Sequence, residues 1–365
     1  MYLYSDGGLT TLNTKDVVIK TSKNGLVGIG NVSILPTNTQ FETIAKYYMY
    51  LDSTAAGIYP TTAVDARNCV YEGTSGNSLS NREPFNVEDK IHHYLDNPKL
   101  GWILFDKQNI YVTDFDGNSS LARAINIAQD DWNIFLDSIN TYEDVTFDRR
   151  INLYSHRKAA IGSLKMNYPG ISLFLFGKLT LQTGLDLTQG LIEVSDFDTL
   201  LVFRDHITTR LTPGKTNSYV KGTLYVQYQN MPTNYTIVDT IPIGNGVEFR
   251  PFYLTATWLF NAKEYVQGYR LLNGKAPMNS LPAGITHTSD IRYWEVIKPY
   301  KQTPFLWSYA GLSYGIKAND DLVNDPNNLR VIYISPIKSN NIGGSGSAAG
   351  NGTILSTFGS PGPGY

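Results

Sequence analysis

Cysteine is almost absent from this 365-residue chain: Cys69 stands alone, so no intrachain disulfide can form. A single cysteine reads as a small buried hydrophobe rather than a nucleophile, and stability must come from packing and from neighbouring chains. Charge is also scarce, at 17% of residues against roughly 25% in an ordinary soluble domain. The net charge of −2 and the Arg/Lys-poor start, MYLYSDGGLT, leave no basic arm for wrapping nucleic acid. Residues 1–30 show no basic stretch followed by an apolar one, so no secretory signal is read. The longest apolar run, Ile171–Phe176, is far short of a membrane span. A cytoplasmic site of synthesis and no membrane partner are expected.

What fills the chain is Asn, Ser, Thr, Gly and Tyr, with apolar residues at 42%. That mixture suits strands, turns and packed polar contacts rather than a solvated helical surface. The predicted fold class is mainly β with a few helices, a β-sandwich, jelly roll or barrel. Three regions are expected: a mixed α/β part with hairpins and helices over 1–165, a β-rich domain over 166–338, and a Gly/Ser-rich arm over 339–365. No internal repeat of 20–50 residues is visible.

Local signals fill in this outline. Asn24-Gly25 between Val17–Ile19 and Leu26–Ile34 predicts a hairpin. Gly28 and Gly30 thin its second strand and suggest close approach by another backbone. Phe41–Leu51 resembles a short helix, another is expected to start at Asn86, and Trp102–Phe105 with Asn109–Val112 suggests a second hairpin. Leu121, Ile125, Ala128, Trp132, Phe135, Leu136 and Ile139 recur at three- and four-residue spacing. They predict one prominent amphipathic helix around 121–139, capped by Ser119 or Ser120. From Ile171 onward, recurrent Gly, Pro, Asn and Asp turns predict antiparallel strands.

No constellation meets the demands of a catalytic or metal site. Gly214-Lys215-Thr216 lacks the earlier glycine of a phosphate loop, since Thr209 stands there, and reads as a turn. Asp114, Asp116 and Asn118 open like a calcium loop, but Ser119 and Ile125 occupy the positions that need Gly and Glu. His92, His93, His156, His206 and His287 show no metal-ligand spacing. Arg204-Asp205-His206 places a base beside a carboxylate without a nucleophile elbow. The acidic pairs Asp130/Asp131, Glu143/Asp144 and Asp196/Asp198 leave a glycan hydrolase open as an alternative. Arg149, Arg150, His156, Arg157 and Lys158 form a basic cluster balanced by Glu143, Asp144 and Asp148, which reads as a surface ion-pair region. No catalytic, metal or cofactor residue is assigned, and no enzymatic activity is expected.

Aromatic residues stand out instead, with 25 tyrosines and clusters at Tyr47–Tyr50, Tyr293-Trp294 and Phe305–Tyr309. Tyr and Trp bury area while keeping a polar handle, so they suit subunit contacts or sugar stacking. The candidate assembly contacts are Tyr293, Trp294, Phe305 and Trp307, joined by Ile354, Leu355, Phe358 and Tyr365 of the arm. The arm cannot form a core alone, so its apolar island is expected to dock as an added strand on a neighbouring subunit.

Lys221-Gly222-Thr223-Leu224-Tyr225-Val226-Gln227-Tyr228 resembles a late strand of viral jelly-roll capsid proteins, and Asn24–Asn31 (NGLVGIGN) is similar to segments of phage tail and fibre proteins. The composition is similar to that of bacteriophage virion structural proteins in general. The resemblance implies a structural subunit of a virus particle (capsid, capsid-associated, collar or tail) that assembles with copies of itself and other virion proteins. It transfers no functional residues. A glycan-binding receptor module is the alternative, with host-surface glycan as partner.

Overall fold

The computed structural model describes residues 1–5, 8–52, 64–114, 119–207, 209–258, 262–278, 280–297, 307–314, 328, 330, 332–334, 339–341 and 352–355; for 262–263 and most residues beyond 306 this covers the backbone alone. The chain divides into two units, 1–143 with 150–159, and 144–149 with 160–365.

The first unit is a β-solenoid: short strands pair in parallel with the segment one coil further along. Tyr2–Tyr4, Leu26–Ile29, Met49–Asp52 and Ile91–His92 stack on one face. Thr10–Lys15 pairs with Val32–Thr37, and Val18–Lys20 pairs with Gln40–Glu42, which pairs with Val70–Tyr71. Strand alternation sends every second side chain inward, so registered partners form columns: Leu26 faces Met49, Met49 faces Ile91, and all three are buried. Ile19, Phe41 and Tyr71 make a second column, with the Phe41 and Tyr71 rings stacked at 5.6 Å.

Later coils bring Asn109–Thr113, Trp132–Asp137 and Ile151–Ser155 into one parallel sheet. Here like stands on like. Asn133 donates to Asn109 Oδ1 at 2.8 Å, and Asn152 donates to Asn133 Oδ1 at 3.0 Å. Tyr111, Phe135 and Tyr154 stack at 5.0 and 4.7 Å with nearly parallel rings. In-register amides satisfy one another's donors and acceptors, and stacked rings bury their faces, so each coil templates the next. Phe135→Ala is expected to cost about 2–3 kcal/mol in chemical denaturation, below the range for a fully buried Phe because Phe135 is half-buried.

The second unit continues the parallel pattern on its own columns. Within the long extended segment Ile151–Val194, residues 178–181 pair with 199–202 and residues 192–193 with 220–221. Leu179, Leu200 and Leu224 form one buried column, Leu181, Val202 and Val226 another, and Ile192, Val220 and Ile243 a third. The pattern then changes. Leu224–Met231 pairs in parallel with Thr199–Arg204 on one edge and antiparallel with Ala262–Asn273 on the other, and Arg292–Ile297 extends that sheet. Tyr235–Ile241, Phe252–Trp258, Trp307–Tyr314 and Gly352–Leu355 make a second antiparallel sheet. Tyr228 and Tyr265 of the first meet Trp258 of the second, with Trp258 and Tyr265 edge to face at 5.6 Å.

Mainly-β character is present, but as a β-solenoid rather than a sandwich, jelly roll or barrel. Most turn signals before Leu224 make coil corners, and the parallel strands find partners about twenty residues or more away, although Val70–Tyr71 and Thr74–Ser75 do form a hairpin. Thus Val18–Lys20 and Leu26–Ile29 lie on different faces, despite Asn24-Gly25 between them. Ile103–Leu104 pairs in parallel with Val64–Asp65 instead of with Asn109–Thr113. Gly28 is crowded by side chains rather than by a backbone, since a Cβ there would lie 2.6 Å from Val32 Cγ2. Between coils, antiparallel pairing begins at Leu224–Met231; before it, only the tight pair Val70–Tyr71 with Thr74–Ser75 is antiparallel among the described residues.

The helical expectations need correction too. Residues 40–42 and 49–52 are strands, and the helix near Asn86 is Glu83–Glu88. The helix expected around 121–139 ends at Ile127, after Ser120 caps it by accepting the Arg123 N–H at 3.2 Å. Ala128 is extended, Asp131 has φ of 67°, and Trp132–Asp137 is a strand.

Candidate functional site

The first coil supplies the most distinctive surface. Tyr2–Tyr4 and Val18–Lys20 lie at the ends of their sheets, and Thr10–Lys15 pairs only with Val32–Thr37 among the described residues. Thr10 and Asp16 donate their N–H groups to Asn31 and Thr37, the next coil. Alternation therefore directs the N–H groups of Thr11, Asn13 and Lys15 to the other, unpaired side. Tyr2 and Tyr4 are 67% and 62% exposed, and Leu9 and Val18 of the same coil are exposed too. A parallel edge with apolar flanks is what another strand pairs with.

The candidate assembly contacts fall elsewhere. Tyr293 and Trp294 lie in Arg292–Ile297, opposite Leu272 and Leu271; both are half-buried, and Trp294 Nε1 donates to the Arg250 carbonyl at 3.1 Å. Trp307 pairs with Thr257. Ile354 and Leu355 do join a sheet as an added strand, opposite Leu312 and Gly311 of this same chain. Phe305, Phe358 and Tyr365 lie outside the described residues.

The sequence's titratable groups are engaged in local structure. Glu143 accepts from the Ser120 hydroxyl and the Leu121 N–H, bracing the start of helix Leu121–Ile127. Asp144 accepts from Ser163, and Asp198 accepts the Gly177 N–H at 2.6 Å. Asp130 and Asp131 hold Arg150, while Asp196 pairs with Arg270 at 3.4 Å. In the basic cluster, Arg149 meets Asp148 and holds that carboxyl below its usual range, and Arg157 reaches Asp137. Lys215 closes a turn with Ser218. Of the calcium-like loop only Asp114 is described. Arg204 grips the buried Asp239 at 3.1 Å, Asp205 accepts the Ile207 and Thr209 N–H groups, and the His206 ring packs edge-on against Tyr235. Burial raises the Asp239 carboxyl while Arg204 opposes the shift. Cys69 is buried, and burial pushes its thiol up to about 12. Among the described residues no group of three or more His, Cys, Asp or Glu is placed to hold a metal, and no helix is long and apolar enough to cross a membrane.

Two features escaped sequence reasoning. Phe197 is 96% exposed at a corner of the second unit, and Phe176 precedes the corner one coil earlier; the Asp198–Gly177 bond ties these corners together. Glu248 lies between Arg292, at 2.6 Å, and Arg250, at 3.3 Å, with the Arg292 side chain almost wholly buried. Neither has a local signature, because Gly177 and Asp198 are 21 residues apart and Glu248 and Arg292 are 44 apart. Comparison with known proteins finds no matching family model, no matching curated protein and no matching solved structure.

Proposed function

We propose that this chain is a non-enzymatic structural subunit of a virus particle, of the kind that builds a bacteriophage capsid, capsid-associated layer, collar or tail. In this reading the β-solenoid is made in the host cytoplasm and carried in the virion. The observation that carries it is the parallel edge of the first coil, where Thr10–Lys15 has no second partner strand among the described residues. Natural sheets cover or blunt such edges, since unpaired N–H and C=O groups recruit other strands. An edge unpaired among the described residues, in a coil that exposes Tyr2, Tyr4 and Val18, is suited to a neighbouring virion protein or a second copy. Low charge, packed polar ladders and carboxylates engaged in bracing turns also favour scaffold over catalyst.

Asn13→Pro tests this reading. Its N–H faces the open side, so proline removes a donor that the subunit itself does not use. The wild-type chain is expected to form a symmetric oligomer in light scattering at micromolar concentration. The variant should associate at least about tenfold more weakly while melting within a few degrees of wild type. A wild-type chain that stays monomeric overturns the proposal.

A second reading, glycan binding, is favoured by the Phe197 corner. An almost fully exposed ring beside the paired Asp196 and Arg270 offers a stacking surface next to groups that bond hydroxyls. The glycan hydrolase alternative draws no support from the carboxylate pairs, because each member named above has a structural partner.

A further inference from the structure

His93 is buried just after strand Ile91–His92, and its ring joins three segments. Its Nδ1 accepts the Ile103 N–H at 2.9 Å, so the proton of the neutral ring resides on Nε2 and is donated to Glu88 Oε1 at 3.0 Å. The His93 backbone N–H donates to Asp96 Oδ2 at 2.9 Å. Through these bonds the ring ties helix Glu83–Glu88 to strand Ile103–Leu104, which pairs with Val64–Asp65. A cavity of about 10 Å³ borders Glu88, His93, Trp102, Ile103 and Tyr111, no larger than one water molecule.

We propose that His93 is an acid-sensitive latch: neutral, it fastens strand Ile103–Leu104 to helix Glu83–Glu88, and protonated, it lets the strand go. The geometry requires this coupling. Nε2 already carries a proton, so a second must go to Nδ1, where the Ile103 N–H points. An imidazolium has two donors and no acceptor, so the ring and the strand must separate.

The surrounding charges set the range. Glu88 faces the ring from the helix, Asp96 lies on its own segment with His92 at 3.7 Å, and Arg123 approaches from helix Leu121–Ile127, bonded to the Leu95 carbonyl. Tyr111, bonded to Asp106, borders the cavity from the following strand. Burial dominates and lowers the His93 pKa from 6.5 to about 4; Asp96 pulls upward and Arg123 downward. Burial also raises the Asp96 carboxyl, so acid neutralises a charge that favours the imidazolium. A folded-state pKa below the unfolded value means that the latch's stabilisation is full above about pH 6.5 and is lost as pH falls towards about 4.

Hydrogen exchange on the full chain, corrected for intrinsic pH dependence, tests the latch. Protection of the Ile103 amide is expected to fall about thirtyfold between pH 7.5 and pH 5. His93→Gln retains an acceptor and a donor but does not titrate, so its protection should change less than about threefold. Unchanged protection in the wild type, or an equal fall in the variant, overturns the proposal. If the variant does not fold, the wild-type ring decides by nitrogen NMR: charging near pH 6.5 without loss of Ile103 protection overturns it equally.

Discussion

Gly222→Ala is expected to destabilise the second unit by more than about 3 kcal/mol and to lower its melting temperature by about 10 °C. A Cβ at Gly222 would lie 2.0 Å from the Val194 carbonyl oxygen, and its φ is 105°, outside the comfortable range of L side chains. The obstacle is backbone, so no rotamer change relieves it. Gly73→Ala is the control: its φ is 93°, yet nothing lies within 4 Å of a Cβ there. It should cost only the backbone strain, about 1 kcal/mol. Thermal unfolding of both variants separates crowding from conformational strain. Equal costs would mean that neighbouring coils do not press on Gly222.

Glu248→Gln should cost about 3–5 kcal/mol, because it leaves Arg292 charged and nearly fully buried without its carboxylate. The sequence hides this: Glu248 and Arg292 are 44 residues apart. Restoring neutrality supplies the check. Replacing Glu248 and Arg292 together by Leu and Met should recover most of the loss in a denaturant titration. If the double variant is no better than the single one, the pair matters for shape rather than for charge.

Mainly-β character was legible because local alternation and turn residues report it directly. The solenoid was not, because its coils differ in length. Leu26 faces Met49 and Thr10 faces Val32, but Met49 faces Ile91 and Trp132 faces Ile151. With spacings from 19 to 42 residues, self-similarity at a fixed period is erased, although inward-facing positions of successive coils stand in register. The 121–139 stripe failed for a related reason. Trp132, Ile134 and Leu136 are buried in alternation, yet Trp132 and Leu136 also fall on a helical repeat begun by Leu121 and Ile125. The Asp130-Asp131 pair, with Asp131 at positive φ, was the available sign of a break. Likewise, Lys221–Tyr228 resembled a jelly-roll strand because it alternates; the parallel partner of its Leu224–Tyr228 part, Thr199–Arg204, lies one coil earlier. The first-coil edge was beyond reach, since it depends on which described strands pair across coils.

Leu224–Met231 has a consequence for how copies could meet. Fibres grow when one molecule's bare edge fits a complementary edge on the next, and head-to-tail joining of coils never closes. This strand spends its outer edge on an antiparallel partner, Ala262–Asn273, so it cannot serve as a parallel seat for another molecule's first coil. If copies join through their first coils as proposed, this edge leaves them to meet first coil against first coil, a self-complementary contact that closes instead of extending. Under the proposed assembly, the antiparallel partner of Leu224–Met231 would withhold one parallel seat from the growth of a fibre.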